Sequence, residues 1–462
     1  MDYQEYLQNK RITHKSTGIN IDRNSLNPLL FDFQKDLVWW SLKKGRAALF
    51  ASTGLGKTFM QVEWAQKVHE HTGGNVLILA PLAVSTQTVR EAAKLGVTVN
   101  ACRKQSDVKT GVNITNYEML GHFDAESFGG VVIDESSILK SFDGKLRQQI
   151  TESFSNTPFR LSATATPAPN DYMELGTQAE FLGVMKRPEM LAMFFTHDGS
   201  DTSKWRLKGH AQKRFWEWVA SWAAVVTKPS DLGYKDGKFN LPELTVHEVM
   251  IDSGQPLDGA LFTVEAVGLA EQRAAARQTL MDRVAACADM VNNTDKSFLV
   301  WCNLNSESDA LKKAIPGAVE VKGSDSNEHK EKTALGFANG DIRVLVSKPS
   351  IFGFGLNFQI CNQMAFVGLS HSFEQYYQAV RRCWRFGQEN PVDVYIITSD
   401  LEGAVKANIE RKERDADAMI RAMVEYTRDI TRRNVRATIQ EVTEYNPTKP
   451  MIIPSWLRSD VA

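Results

Sequence analysis

The chain has 462 residues, of which 43% are hydrophobic and 24% are charged. This balance is typical of globular proteins and excludes a disordered or fibrous chain, and the length predicts roughly two to four domains. The 54 basic and 55 acidic side chains leave a formal net charge of −1. A uniformly basic coat for nucleic acid is therefore excluded, whereas a local basic groove is not.

The five cysteines are scattered without a CxxC pair, which argues against zinc ribbons and favours a reducing compartment. The nine histidines show no metal-binding spacing, so none is assigned as a ligand. The amino terminus is polar and acidic, unlike a signal peptide. The longest apolar runs, VLILAPLAV and WVASWAAVV, are too short to cross a membrane. We therefore expect a soluble, cytoplasmic protein with no membrane partner.

Short aliphatic runs alternate with segments of helical period from Leu26 onward. They form two series, at 48–52, 75–80, 111–115, 130–135 and 158–164, and at 245–251, 297–302, 318–323, 342–347, 363–368 and 392–398. Such alternation predicts parallel sheets with helices on both faces, one sheet for each series.

The pattern divides the chain into five regions. We expect a loosely held extension at 1–24, a first lobe at 25–180, a helical tryptophan-rich insertion and linker at 181–243, a second lobe at 244–400, and a helical extension with a tail at 401–462. Within the insertion, the helical spacing predicts a buried stripe of Phe215, Trp218, Val219 and Trp222.

Three features outside the sheets are candidates for nucleic-acid contact. Trp205 and His210 lie in a polar loop of the insertion, where an exposed aromatic ring would be able to stack on a base. The segment 431–436, TRRNVR, lacks acids and would be able to contact phosphates, with a solvated helix face as the alternative.

The sequence ASTGLGKT at 51–58 follows a strand-like run and precedes a helical one, as a phosphate-binding loop requires. We expect Lys57 to reach the β- and γ-phosphates and Thr58 to bind Mg²⁺. The alternative is a chance glycine-rich turn, because Ala51 stands where the usual pattern has its first glycine. Backbone N–H groups of the small residues are expected to face phosphate oxygens at the helix N-terminus, namely those of Ser52, Thr53, Gly54, Leu55 and Gly56.

The sequence VVIDESS at 131–137 ends an aliphatic strand with two acids. We expect Asp134 to hold Mg²⁺ through water and Glu135 to polarise the attacking water. An Asp-Glu pair after a strand is by itself more often a helix cap. Its order and spacing relative to the phosphate loop favour a single nucleotide site.

The sequence QAVRRCWRFGQ at 378–388 contains Arg382 and Arg385, which would share a helix face at i and i+3. Together they would stabilise charge on a transferring phosphoryl group. The alternative is a basic amphipathic helix on the surface. Because these arginines belong to the second series and the phosphate loop to the first, we expect ATP to bind between two lobes that complete the site by closing.

The ordered sequences ASTGLGKT, DESS, SATATP, GFGLN and QAVRRCWR resemble the motifs of superfamily-two helicases and translocases. The closest likeness is to Swi/Snf-type DNA translocases, and it covers roughly residues 26–398. The resemblance implies two RecA-like α/β lobes in tandem, with hydrolysis of ATP and Mg²⁺ as the cofactor. It also implies DNA, mainly duplex DNA, as a partner that is held through its phosphates and largely without regard to sequence.

The resemblance implies further roles, residue by residue. Phe33 and Gln34 would recognise adenine, and Gln378 would act with the arginine pair. Ser162, Thr164 and Gly355 would couple hydrolysis to nucleic acid. Nucleic-acid contacts would come from Ser85, Gln87, Thr115, Asn116, Lys348 and Asn357.

This chain departs from the family pattern at two positions that matter for the site. Ser137 stands where the acidic motif usually has a histidine, and Arg381 stands where an acid or a glycine is more usual. Two other functions remain open from the sequence. One is a strand-separating or branch-migrating DNA helicase, and the other is an ATP-gated DNA clamp that does not travel. An intact Glu135 and paired arginines argue against the clamp, which needs no hydrolysis.

Overall fold

The computed structural model describes residues 16–81, 84–140, 144–168, 171–197, 205–252, 269–352, 357–370, 372–399 and 403–436. Within these ranges the chain forms two parallel β-sheets with helices on their faces, which confirms the predicted pair of RecA-like α/β lobes in tandem. Each aliphatic run predicted from the sequence contains a strand of one of these sheets.

The first lobe is built on a parallel sheet of seven strands. Its strands are β1 (Arg46–Ala51), β2 (Asn75–Ala80), β3 (Val99–Ala101), β4 (Val112–Asn116), β5 (Phe128–Asp134), β6 (Phe159–Thr164) and, past a small hairpin of β7 (Phe195–His197) and β8 (Trp205–Leu207), β9 (Ala223–Val226). Their order is β3-β4-β2-β5-β6-β1-β9. Central strands such as β2 are almost wholly buried because helices cover both faces. The helices are α1 (Asp32–Lys44), α2 (Lys57–Thr72), α3 (Ser85–Lys94), α4 (Lys145–Ser153), α5 (Leu175–Phe181), α6 (Arg187–Phe194) and α7 (Gln212–Trp222).

The second lobe has a parallel sheet of six strands. They are β10 (Leu244–Ile251), β11 (Phe298–Trp301), β12 (Val319–Val321), β13 (Val344–Ser347), β14 (Gln363–Phe366) and β15 (Val392–Ser399), in the order β10-β15-β14-β11-β13-β12. The helices are α8 (Leu269–Gln278), α9 (Leu280–Asn292), α10 (Asn305–Ala314), α11 (Asn327–Asn339), α12 (Pro349–Phe352) and α13 (Phe373–Val380).

The segment 181–243 is not the purely helical insertion that the sequence predicted. It contains α6 and α7, but also the antiparallel hairpin β7–β8 and the strand β9, which pairs with β1 in the first sheet. The apolar run WVASWAAVV changes from helix to strand at Ala223, and every residue of β9 is buried. The predicted core stripe is confirmed, because burial is complete or nearly so for Phe215, Trp218, Val219 and Trp222. The domain limits stay predictions.

One helix, α14 (Gly403–Arg436), connects the hydrophobic cores of the two lobes. Ile409 and Ala416 are buried in the core of the second lobe, whereas Met423 and Val424 are buried in a core of the first. The predicted helical extension is therefore packed against both lobes. Neither this helix nor any other in the described ranges is apolar enough over a sufficient length to cross a membrane.

The predicted loose extension at 1–24 is wrong for its final third. The N–H groups of Thr17, Gly18 and Ile19 donate to carbonyls at the end of α1, at 2.9 to 3.2 Å. The Ile19 side chain is buried in the core of the first lobe. Residues 1–15 and the predicted tail at 437–462 lie outside the described residues.

Candidate nucleotide-binding and catalytic site

The predicted phosphate-binding loop lies between β1 and α2, at the carboxyl edge of the first sheet. Gly54 and Gly56 have φ values of 93° and 78°, which side-chain-bearing residues rarely adopt. A Cβ on Gly56 would lie 2.3 Å from the Nε2 atom of Gln34, and one on Gly54 would lie 3.0 Å from the backbone nitrogen of Phe386. Both glycines are therefore required, while Ala51 is the buried last residue of a strand.

Lys57 is the first residue of α2 and folds back toward the loop. Its Nζ atom donates to the Ala51 carbonyl oxygen at 3.0 Å. Burial lowers the pKa of Lys57, and the charges of Glu135 and Asp134 oppose that change. A buried ammonium group that is held by a single carbonyl is well suited to exchange it for a phosphate oxygen.

Some polar groups of the loop are used within the protein and others are available. The N–H of Ser52 donates to Val226 of β9 at 3.0 Å, and that of Leu55 donates to the Ser52 carbonyl at 3.3 Å. The predicted inward-facing role is therefore not seen for these two N–H groups. By contrast, the buried Thr53 hydroxyl has no hydrogen-bond partner in the described part of the chain. An orphaned hydroxyl, a buried amine and a helix N-terminus together fit a triphosphate.

The two predicted acids stand at the end of β5. Asp134 is buried and accepts a hydrogen bond from Gln61 Nε2 at 2.7 Å. Glu135 has a φ of 53°, the one positive value at a non-glycine residue in the described ranges, and such strained backbone is concentrated at functional sites. Burial raises the pKa of both carboxyl groups, and the charge of Lys57 opposes the rise. Asp134, with Thr58 in the first turn of α2, would hold Mg²⁺.

The predicted arginine pair follows α13 and does not lie on it. The helix ends at Val380, and Arg382 and Arg385 occupy the turns that come next. The shared helix face predicted from their i, i+3 spacing is therefore wrong. The Arg382 carbonyl accepts a hydrogen bond from the N–H of Phe358 at 2.9 Å, which takes it out of the helical pattern.

Arg382 is nevertheless buried and Arg385 partly buried, both close enough to Lys57 of the first lobe to affect its pKa. Arg382 donates through Nε to the Gln378 carbonyl at 2.9 Å and through Nη2 to the Gln378 Oε1 atom at 3.1 Å. The pKa of Arg382 is lowered to about 9, mainly by burial and also by the charge of Arg385, while the charge of Glu135 opposes the change. Arg385 and Arg382 in turn help to lower the pKa of Lys57. The structure thus brings the predicted catalytic residues of both lobes together.

The predicted coupling motif on β6 contacts the acidic motif directly. Thr164 Oγ1 donates to Glu135 Oε2 at 3.4 Å. Ser162 donates to the Oε1 atom of Gln178, whose Nε2 atom donates to the Ser136 carbonyl at 2.8 Å. Gln178 lies on α5 and is buried there with most of the helix. It was not found from the sequence, because a single glutamine in a short segment gives no distinctive signal.

Gln34 joins α1 to the phosphate loop. Its Nε2 atom donates to the Leu55 carbonyl at 2.8 Å, and its Oε1 atom accepts from the Phe31 N–H at 2.9 Å. Both halves of the amide are therefore used within the protein. The predicted adenine contact of Gln34 stays a prediction, but its place beside the loop is that of a residue able to sense the nucleotide.

An aromatic cluster stands at the open side of the loop. Phe33, predicted to lie beside adenine, is 3% exposed and packs edge-on against Phe239. Phe31 is 47% exposed, with ring centroids 5.1 Å from Phe239 and 6.3 Å from Phe386 of the second lobe. Phe33 is thus part of the core, and Phe31 is the ring available to a base. Nothing in the local sequence distinguishes these two neighbouring phenylalanines.

The six predicted nucleic-acid contacts differ in their access to solvent. Thr115 is 1% exposed within β4, so its hydroxyl does not reach the surface. The others are partly exposed, namely Ser85, Gln87, Asn116, Lys348 and Asn357. The predicted coupling residue Gly355 lies outside the described residues. These contacts stay predictions, and the structure argues against the one at Thr115.

The insertion and the last helix also bear on the predicted contacts. Trp205 is partly buried and packs on His197 with ring centroids 3.8 Å apart, whereas His210 is exposed. In segment 431–436, Arg432 donates to the carbonyls of Ser230 and Asp231, at 2.6 and 2.8 Å. Arg432 therefore fixes α14 to the first lobe through hydrogen bonds, and the phosphate contact predicted for segment 431–436 stays a prediction.

Residues 281–387 match the model of the helicase conserved C-terminal domain. This range includes the arginine pair. No curated protein matches the chain in sequence. Among solved structures, the chain is similar to the Sulfolobus solfataricus SWI2/SNF2 ATPase core in complex with dsDNA, at 14% identity and a TM-score of 0.42, over 90% of this chain and 99% of that one. A likeness of this degree says nothing about substrate or mechanism.

The matched range spans most of the second lobe, and the first lobe carries the predicted phosphate-binding loop and the predicted acidic motif. The predicted resemblance to superfamily-two helicases and translocases is thereby confirmed. These findings support a nucleic-acid motor of superfamily two, a class that hydrolyses ATP.

Proposed function

We propose that this protein is a DNA-dependent ATPase of the Swi/Snf type that moves along duplex DNA. The observation that carries the proposal is the meeting of charges from the two lobes, Lys57 and Glu135 from the first and Arg382 and Arg385 from the second. Buried charges of both signs that face each other across a cleft suit a triphosphate bound between the lobes.

Each charged residue has a separate task in this proposal. Lys57 leaves the Ala51 carbonyl and binds phosphate oxygens. Glu135 holds and orients the attacking water, and burial keeps its pKa raised so that it accepts a proton more readily. Arg382 and Arg385 stabilise the charge that develops on the phosphoryl group. Mg²⁺, when bound by Thr58 and Asp134, neutralises charge on the phosphate oxygens.

The base would be recognised at the aromatic cluster. Phe31 offers its exposed face for stacking, and Phe386 comes from the second lobe, so that a bound base would contact both lobes. Gln34 contacts the same loop through Leu55. This arrangement supports a purine nucleotide as the substrate and links its recognition to lobe closure.

The proposed dependence on DNA rests on the sequence motifs and on a set of hydrogen bonds between β6 and the acidic motif. Thr164 connects β6 to Glu135, and Gln178 connects the same strand to Ser136. These direct hydrogen bonds would transmit a structural change at the nucleotide to the coupling motif. Contacts to phosphates carry no sequence information, so the grip on DNA is expected to be largely sequence-independent.

Hydrolysis in the presence of different polymers tests the proposal. ATP turnover is measured with no nucleic acid, with duplex DNA, with single-stranded DNA and with RNA of equal length, beside Glu135→Gln as the inactive control. We expect duplex DNA to stimulate turnover most. Equal rates with and without every polymer would refute a DNA-dependent motor.

Movement is tested separately from hydrolysis. A third strand bound to the duplex is expected to be displaced with ATP but not with a non-hydrolysable analogue. Displacement of one strand of a forked duplex under the same conditions would instead favour a strand-separating helicase. Tight ATP-dependent binding without displacement in either assay would favour a static clamp.

A further inference from the structure

Three polar side chains join the two lobes beside the catalytic acids. Ser137 Oγ donates to Glu374 Oε1 at 2.6 Å, and Lys140 Nζ pairs with the other carboxylate oxygen of Glu374. Ser137 and Lys140 lie on a 3₁₀ turn of the first lobe, directly after Glu135, and Glu374 lies in the first turn of α13 in the second lobe. We call Ser137, Lys140 and Glu374 the clasp.

The clasp is sheltered from solvent, unlike another ion pair between the lobes. The side chains of Lys140 and Glu374 are 35% and 13% exposed. In the pair between Arg90 and Glu331, by contrast, the side chains are 47% and 44% exposed. Exposed pairs are screened by water and contribute little, whereas a sheltered carboxylate with two partners is fixed in place.

The clasp is connected to the arginine pair through α13. Glu374 and Gln378 are four residues apart, which places them on one face of the helix. Gln378 in turn accepts two hydrogen bonds from the Arg382 side chain. A residue that fixes the start of α13 therefore fixes the position from which Arg382 reaches toward Glu135.

We propose that Glu374 is a positioning residue, which Ser137 and Lys140 hold so that α13 presents Arg382 to the nucleotide when the lobes close. This inference rests on the proposed function, because it gives the clasp a role in hydrolysis between the lobes. It also explains the departure at Ser137, where related motors usually have a histidine. In this chain a hydroxyl and a nearby lysine make the contact across the cleft, with a glutamate as their common partner.

Exchange of the two charges tests the inference. We expect Lys140→Glu and Glu374→Lys each to lower kcat about tenfold, with KM for ATP within about threefold, because both place like charges together. The double variant is expected to recover most of the turnover. Glu331→Lys, which opposes Arg90 in the exposed pair, is the matched control and should stay within about twofold of wild type.

Lobe separation provides a readout that does not depend on hydrolysis. The native cysteines in the described ranges are all buried, so dyes can be attached at Arg103→Cys in the first lobe and Lys313→Cys in the second. With a non-hydrolysable ATP analogue, Glu374→Lys is expected to shift energy transfer toward a longer distance, and the double variant to restore it.

The outcomes separate the two claims. Wild-type protein that hydrolyses no ATP with any polymer would refute the proposed function. The distances between the lobes in the wild type and the variants would still test whether the clasp holds the lobes together. Unchanged kcat and unchanged distance in Glu374→Lys would overturn the clasp. So would a double variant as impaired as the single ones. Melting temperatures of all variants identify any that lose activity only because they unfold.

Discussion

The two lobes hold their catalytic residues by different means. In the first, Asp134 ends β5 and Glu135 follows it directly, while Lys57 begins the helix that a five-residue loop connects to β1, so these residues are fixed by the sheet edge and the loop. In the second, Arg382 and Arg385 follow a helix and are fixed by side-chain bonds, such as those from Arg382 to its neighbour on α13. The difference indicates that the first lobe is a preformed binding half and the second a half that can be delivered or withdrawn.

The two lobes also differ in the sign of the charges that they place at the site. Asp134 raises the pKa of Glu135 in addition to the effect of burial, and Arg385 lowers the pKa of Arg382 in the same way. The first lobe thus holds two acids against the single charge of Lys57, and the second holds two arginines, so each lobe alone has an excess of one sign of charge. Lobe closure brings the opposite sign to each, so the charge pattern itself favours the assembled site.

The largest loss of ATP hydrolysis is expected from a substitution in the first lobe. Lys57→Ala should reduce ATP hydrolysis to background, because it removes the ammonium group that lies 3.0 Å from the Ala51 carbonyl at the phosphate-binding loop. DNA binding, measured by fluorescence anisotropy, should remain within a few-fold of wild type. Full turnover by this variant would contradict the assignment of the loop.

Loss of an arginine from the second lobe should lower ATP turnover without changing ATP affinity. Arg385→Ala is expected to lower kcat about 10³-fold or more, while ATP affinity stays within several-fold, because the arginine acts on charge that develops during transfer. Arg381→Ala is the matched control, since this neighbouring guanidinium stacks over the Trp384 ring at 4.2 Å. An equal loss of ATP affinity in Arg385→Ala would show that its role is structural.

The pH dependence of hydrolysis tests the electrostatic link between the halves. Burial raises the pKa of Glu135, and Arg382 is one of the charges that oppose the rise. Activity should therefore fall as pH decreases through this raised pKa, above the ordinary glutamate range. Arg382→Gln should move the acid limb of kcat/KM to still higher pH. An acid limb of the pH profile that is unchanged in Arg382→Gln would show that this arginine does not interact with Glu135.

The smallest effect concerns stability. Arg432→Ala removes two hydrogen bonds that fix α14 to the first lobe, and should lower the free energy of unfolding by about 1–2 kcal/mol. Arg433→Ala, at an exposed position of the same helix, should change it by less than about 0.5 kcal/mol. Urea denaturation of both variants makes the comparison, and equal losses would contradict it.

The strands and the nucleotide motifs were predictable because each has a strong local signal. Continuous aliphatic runs such as NVLILA at 75–80 read as buried parallel strands, and a glycine-rich loop between a strand and a helix reads as a phosphate site. The short edge strand β3 and the strand β9 were missed. The first has only three residues, and the second continues a helical pattern without a break.

The rest of the site depends on three-dimensional neighbours that no spacing reveals. Phe31 and Phe33 are two residues apart and both pack edge-on against Phe239, yet Phe33 is buried in the core of the first lobe and Phe31 is 47% exposed. The end of α13 before Arg382 depends on a hydrogen bond from Phe358. The clasp joins residues from different lobes, and its only trace in the sequence is a serine where a histidine is usual.

The long helix α14 has a mechanical consequence. Its 34 residues form a rod about 50 Å in length, at 1.5 Å per residue, and the rod is seated in both lobes. A swing of one lobe must bend this rod or unseat one of its ends, so elastic resistance grows with the angle. In the proposed motor, the stiffness of this single helix would limit how far one lobe turns, and the energy stored in its curvature would favour return to the starting position.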